Sequence, residues 1–217
     1  MRVQYLLYRW LLSLTTIIFF LHSLCVRISL PAGWKYVLYL TNWSRVLSVL
    51  HFTTEAVLVT ARWWRERRER GRLDLSSAYS SEPSLPLSHR VLWVLANINS
   101  DTAALCTIVY WGFLYDGREF DVDNVSGHIL ISLINILDVF ISHRPWRCLH
   151  LYHVQLFCLV YVMSNLAYIE GGGTNLADKP YIYSILNWSH PAHCVLTILG
   201  VVLVLPFIHF IFIILYK

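Results

Sequence analysis

Charge is scarce in this chain. Asp, Glu, Lys and Arg make up 14% of its 217 residues, well below the roughly 25% of an ordinary soluble domain. Hydrophobic residues fill 57% and the mean hydropathy is +0.53, more apolar surface than one core of this size can hide. A soluble domain is excluded, and an integral membrane protein is what remains. Cysteine is sparse too: Cys25, Cys106, Cys148, Cys158 and Cys194 lie inside or at the ends of apolar segments with no CxxC spacing, which argues against a disulfide or zinc framework. The formal charge of +4 comes largely from one arginine cluster, and no basic, aromatic-rich pattern points to nucleic acid. The chain also lacks an amphipathic fusion peptide, coiled-coil heptads and an ectodomain. It lacks as well the repeated Gly- and Pro-interrupted helices of a secondary transporter.

What is present is a set of apolar runs near the roughly 20 residues that a spanning helix needs. Six segments qualify, at about 10–26, 34–61, 91–115, 127–142, 146–169 and 192–216, so the expected fold is all-α: a single polytopic bundle of six transmembrane helices over residues 1–217. No small-x-small cleavage site follows the first run, which is therefore predicted to be an uncleaved anchor. The loop and linker of 62–90 carry Arg62, Arg65, Arg67, Arg68, Arg70, Arg72 and Arg90, and positive loops stay cytoplasmic. Both termini then face the cytoplasm, as do Arg144 and Arg147, in the plasma membrane or the endoplasmic reticulum. Trp63 and Trp64 before the arginines suit a helix emerging at the headgroup level, and the serines and prolines of 76–88 suit a flexible linker. The sequons at Asn124 and Asn187 fall on the opposite, outer side and are glycosylation candidates.

Polar residues inside a membrane are costly and mark sites or buried pairs. At 100° per residue, Thr41, Arg45, Ser48, Phe52 and Glu55 share one face of the second helix, with His51 at its border. The fourth helix has a stripe of His128, Ser132, Asn135, Asp138 and Ser142, and the third contributes Asn97 and Asp101. A shared polar network of Arg45, Glu55, Asp101, Asn135 and Asp138 is expected. Counting depth along each helix at about 1.5 Å per residue places Arg45 level with Asp138 or Asp101 as its ion-pair partner. His150 with His153, and His190 with His193, have HxxH spacing, but the two pairs fall on opposite sides of the membrane. No complete ligand set results, and neither a metal nor another cofactor is expected.

The run Glu170-Gly171-Gly172-Gly173-Thr174 leads to Tyr181-Ile182-Tyr183-Ser184-Ile185-Leu186-Asn187-Trp188, and an earlier run reads Tyr39-Leu40-Thr41-Asn42-Trp43. Together these resemble the rolling stone family of multipass membrane proteins, although Ser184 and Asn187 stand where that family's pattern has proline and aspartate. The resemblance implies a developmental role in cell-cell (myoblast) fusion. The glycines permit positive φ or close backbone approach, and Tyr181, Tyr183 and Trp188 offer an aromatic surface at the headgroup level. Such a loop could cover the mouth of the polar interior or meet a partner protein or an apposed membrane.

A more distant resemblance joins Trp34-Lys35-Tyr36, Tyr39-Leu40-Thr41 and a histidine opening a later helix with an acid ten residues on. These are similar to the androgen-induced family of transmembrane threonine hydrolases. That resemblance implies Thr41 as nucleophile, His128 as base and a lipid ester as substrate, with Asn42 or Arg45 stabilising the oxyanion. The sequence departs from that pattern at Ile129-Leu130-Ile131-Ser132 and at the turn His143-Arg144-Pro145-Trp146. The implied partners are thus membrane lipids, a lipid-ester substrate or proteins at the outer loop.

Overall fold

A computed structural model describes residues 3–70, 86–115, 117, 121–142 and 144–216. Most of the serine- and proline-rich linker, together with Arg72 and Arg118, lies outside them. Helix is the only regular secondary structure among the described residues. Helix α1 is Val3–Ile28, α2 Leu40–Arg70, α3 Leu87–Val109, α4 Val122–Val125, α5 Ile131–Ser142, α6 Leu151–Glu170 and α7 Pro191–Tyr216. A π-helical turn, Tyr110–Leu114, extends α3, and another, Ser126–Leu130, joins α4 to α5. The result is six long columns. Five are long and apolar enough to cross a membrane: Val3–Ile28, Leu87–Leu114, Val122–Ser142, Cys148–Glu170 and Pro191–Tyr216. The sixth column, α2, is 31 residues or about 46 Å long, but it carries Arg45, Glu55 and the arginines after Ala61.

The sequence-based boundaries need correction at both ends of α2. Residues predicted to open it instead form a 3-10 turn, Gly33–Leu38, that follows Ala32 in the left-handed region, φ 58°. Tyr39 is extended, so the helix proper starts at Leu40. At its other end α2 runs on through Trp63 and Trp64, and the Arg67 guanidinium lies 4.0 Å over the Trp63 ring. The first column begins seven residues earlier than predicted, which draws Arg9 into the helix.

Small and polar residues bring α1 against α2. Arg9, Leu12, Ser13, Thr16 and Ser23 form the buried stripe of α1, at the i, i+3, i+4, i+7 spacing of one helix face. Small side chains let membrane helices approach closely. Ser13 and Thr53 hydroxyls meet at 2.9 Å, and the Trp10 indole donates to Thr60 at 3.0 Å. A separate apolar core lies among α3, α5, α6 and α7. There Leu105, Val139, Val154, Leu205, Ile208 and Phe212 are buried together, and Trp146 stacks on Phe212 with centroids 4.9 Å apart.

Four buried charges join α1, α2 and α5 to the turn after Ser142. Arg9 pairs with Asp138 and, at 3.0 Å, with Glu55. Arg144 pairs with Glu55 at 2.8 Å and with Asp138. Arg9 is 0% exposed, so removing one carboxylate strands a guanidinium away from water. Asp138→Leu is expected to destabilise the protein by about 3–5 kcal/mol, and Arg9→Met by a similar amount. The double variant leaves Glu55 and Arg144 as a neutral pair and is expected to recover most of that loss, so a double-mutant cycle on detergent-solubilised unfolding should show strong coupling. Additive losses would refute the ion-pair account.

Candidate functional site

A chamber of about 1300 Å³ opens between α2, α3, α6, α7 and the loop that follows Glu170, larger than the 300–1,000 Å³ of most small-molecule pockets. Its walls are apolar: Leu105, Val109, Val162, Ile198 and Val201 line it, and Leu205 lies at its depth. Leu205 is fourteen residues along α7 from Pro191, or about 21 Å. Gln155 also lines it, fifteen residues from the same end of α6, and its amide makes no hydrogen bond among the described residues. The rim is polar, with Tyr39, Thr41, Asn42, His128 and Tyr183 around it.

The two sequence runs singled out above meet at this rim. Tyr39 packs edge-on against Tyr183 at 5.6 Å, the Leu40 amide donates to the Tyr183 hydroxyl at 3.0 Å, and the Leu176 amide donates to the Tyr39 hydroxyl at 3.4 Å. Trp43 packs edge-on against Tyr161, and the Asn42 side chain donates to the Tyr36 carbonyl at 2.7 Å, tying the 3-10 turn to α2. Loop residues 171–190 thus form a lid whose Tyr181, Tyr183 and Trp188 line the chamber. The Trp188 indole donates to Asn165 at 2.9 Å. The turn that starts the lid is glycine-dependent: Gly172 has φ 82°, and a Cβ on Gly173 would run into the Tyr168 ring. Gly171 caps α6, and Thr174 belongs to the latch described next.

Lys35 fastens the lid. Its ammonium is buried and donates to the Thr174 hydroxyl at 2.7 Å, the Asn175 carbonyl at 2.9 Å and Asp178 at 3.0 Å. These contacts hold Asp178 in the left-handed region, φ 55°. The hydrogen bond and positive charge of Lys35 keep the Asp178 carboxyl below its ordinary range.

Beside the chamber lies an outer charge cluster. Arg45 donates to Ser23 at 2.5 Å, Asn42 at 2.9 Å and the Asp123 carbonyl at 2.6 Å, and pairs with the Asp123 carboxylate at 2.7 Å. Arg27 takes the other oxygen of Asp123 at 2.9 Å. The expected partners Asp138 and Asp101 are not used. The reason is depth: with α2 starting at Leu40, Arg45 is only about 8 Å in, whereas Asp138 is sixteen residues, or about 24 Å, from Val122. Asp101 instead accepts from His209 at 2.7 Å, whose other nitrogen meets the Arg147 carbonyl at 3.0 Å.

Thr41 and His128 line one chamber but share no hydrogen bond among the described residues. The His128 ring lies flat on Tyr110, centroids 3.6 Å apart and planes 6° from parallel, so the two π-helical turns meet through this pair. Its Nδ1 has no hydrogen-bond partner among the described residues. Gly127 makes room here: a Cβ would strike the Arg45 guanidinium and lie 3.1 Å from Thr41 Cγ2. Asn124 and Asn187 are both half-buried. Asn124 lines the chamber, and the Asn187 side chain accepts from the Ser189 amide at 3.1 Å.

Ligand atoms of His51, Glu55 and Asp138 lie within 4.8 Å of one another, but both carboxylates are already paired with Arg9 and Arg144. Two guanidiniums balance two carboxylates, so this donor set does not fit a metal ion. The neutral polar network around it centres on Asn99, which the sequence reading did not select. Asn99 donates to Asn135 at 2.8 Å, accepts from Ser48 at 2.7 Å and meets His51 Nδ1 at 3.1 Å. Asn97 turns back on the Trp93 carbonyl at 2.6 Å. Both are buried, but Asn99 lies on the i, i+3, i+4 stripe of Leu92, Ala96, Ala103 and Cys106, and that spacing was the signal that could have selected it.

A family model described as "Protein rolling stone" matches residues 1–217. Protein rolling stone of Drosophila melanogaster is 30% identical over 207 residues, which cover 93% of this chain and 72% of the fly protein. The chain belongs to the rolling stone family. No solved structure matches it.

The latch makes the lid acid-sensitive. A carboxyl whose pKa is lower in the closed state stabilises closure above its free value, near 3.9, and that contribution disappears as pH falls through the lowered value. Hydrogen exchange in residues 171–190, corrected for intrinsic rates, is expected to stay constant from pH 7 to about 4 and to rise below that. Asp178→Asn and Lys35→Gln are expected to raise exchange at neutral pH and to abolish the acid dependence. An unchanged acid transition in Asp178→Asn would assign the sensitivity elsewhere.

Proposed function

We propose that this member of the rolling stone family crosses the membrane six times with cytoplasmic termini and holds a lipid-like amphiphile in its lidded chamber. The chamber itself carries the reading. Its apolar walls reach a level about 21 Å from the lid end of α7, past the roughly 15 Å of one hydrocarbon leaflet, while its hydrogen-bonding groups, Gln155 apart, gather toward the mouth. Acyl chains fit the first feature and a lipid head the second. The arginines after Ala61 support placing that end of α2 in the cytoplasm, which puts the lid and the rim in the outer leaflet. A role in cell-cell fusion during myogenesis, implied by the family resemblance, would then act through lipid held at the outer face or through the lid.

A second reading, lipid-ester hydrolysis, draws support from Thr41 and His128 lining the same chamber. In that reading the Thr41 hydroxyl attacks the ester carbonyl as His128 takes its proton, the alcohol leaves with that proton, and water releases the acid. His128 would first have to leave its stack on Tyr110 to reach the hydroxyl. The amphiphile-binding reading requires no such step.

One measurement tests the topology and a second separates the two readings. Epitope tags at both termini are expected to be reached by antibody only after permeabilisation; a tag reached in intact cells overturns the six-span topology. An alkyl fluorophosphonate is expected to leave the folded wild type unlabelled. Labelling that disappears in both Thr41→Ala and His128→Ala would instead establish the hydrolase.

A further inference from the structure

The charges that line the chamber cancel. Among the described residues its ionised lining is Arg27, Arg45, Asp121 and Asp123, two of each sign. Both oxygens of Asp123 are taken, one by each arginine. Arg45 is further spent on Ser23, Asn42 and the Asp123 carbonyl and is 3% exposed. The Lys35 ammonium is bound within the lid. An anionic head entering this rim would find no unpaired cation among the described residues and would have to break a buried ion pair in low dielectric.

What the rim offers instead is uncharged. Tyr36, Tyr39, Tyr161 and Tyr183 line the chamber along with Thr41 and Asn42; the Tyr36 hydroxyl has no hydrogen-bond partner among the described residues, whereas the Asn42 amide is held by Tyr36 and Arg45 and the Tyr161 hydroxyl by Leu38. Hydroxyls and amides both donate and accept, so they match alcohol and ester oxygens, and a site built from them rejects ligands that leave its polar groups unpaired. The unpaired Gln155 amide at depth is likewise neutral.

We propose that the chamber selects a neutral membrane lipid, one with an uncharged alcohol or ester head, over anionic lipids and free fatty acids. This rests on the reading of the chamber as an amphiphile site. It is tested on the purified full chain in neutral detergent with three diazirine probes of similar chain length: a diacylglycerol, a fatty acid and a phosphatidylserine. Wild type is expected to be labelled saturably by the diacylglycerol, at least about ten-fold more than by either anion, consistent with a discrimination of roughly 1.4 kcal/mol or more. Val201→Trp, which fills the apolar shaft away from the rim, is expected to lose that labelling. Asp121→Asn keeps a side-chain acceptor for the Asn124 amide but tips the lining to one net positive charge, so anionic labelling is expected to rise several-fold.

The outcomes separate the two levels of the idea. If an anionic probe labels wild type as strongly as the diacylglycerol and Val201→Trp blocks both, the chamber is a lipid site but the neutral-head rule is wrong. If Val201→Trp, eluting as a monodisperse folded species, leaves labelling by all three probes unchanged, the chamber is not the lipid site and the underlying reading falls too. Unaltered selectivity in a folded Asp121→Asn would also overturn the charge-balance argument.

Discussion

A guanidinium or carboxylate in a low-dielectric interior must have a partner of opposite charge, and the architecture follows from how that requirement is met twice. The helix α1 contributes Arg9 to one cluster and Arg27 to the other, eighteen residues or five full turns apart and so on the same face. From α2 come Glu55 and Arg45, and from the Val122–Ser142 column Asp138 and Asp123. Three columns are therefore fastened to one another at two levels. Between these levels, Ser48, Asn99 and Asn135 continue the contact with uncharged hydrogen bonds.

That arrangement leaves the other side of the bundle free to be hollow. Helices α6 and α7 pack with α3 and α5 through the apolar core around Trp146 and Phe212, but toward the lid their apolar faces separate around the chamber. The lid closes this space by burying tyrosines and one lysine. A neutral wall and a charge-balanced rim are two results of the same constraint, because both arginines that shape the rim are paired with Asp123 and Asp121 supplies the second negative charge. In the proposed reading a bound head group would meet hydroxyls, amides and aromatic faces here.

Several features were legible in the chain itself. The membrane class, the helical fold, the polar face of α2 and the importance of the Tyr39–Trp43 and 170–188 runs all follow from residue type and spacing. Other features depended on where helices begin. Arg9 resembles a topology-setting charge when the first helix is started at Trp10; its role shows only once Ser13, Thr16, Ser23 and Arg27 are seen to share its stripe. Arg45 was assigned too great a depth because the residues before Leu40 have helical composition but fold as a 3-10 turn. Six residues of error moved it about 9 Å, enough to choose the wrong aspartates.

The sequence by itself determined that this chain belongs in a lipid environment, because its apolar fraction leaves no soluble alternative, and that its few charges must be buried against one another. The tertiary structure alone decided which charges pair, since pairing depends on the relative depth and rotation of separate helices, and neither is encoded in the periodicity of any one of them. It also decided that the lid and the start of α2 meet. Their side chains lie more than 130 residues apart, and only closure of the bundle brings Lys35 to Asp178 and Tyr39 to Tyr183.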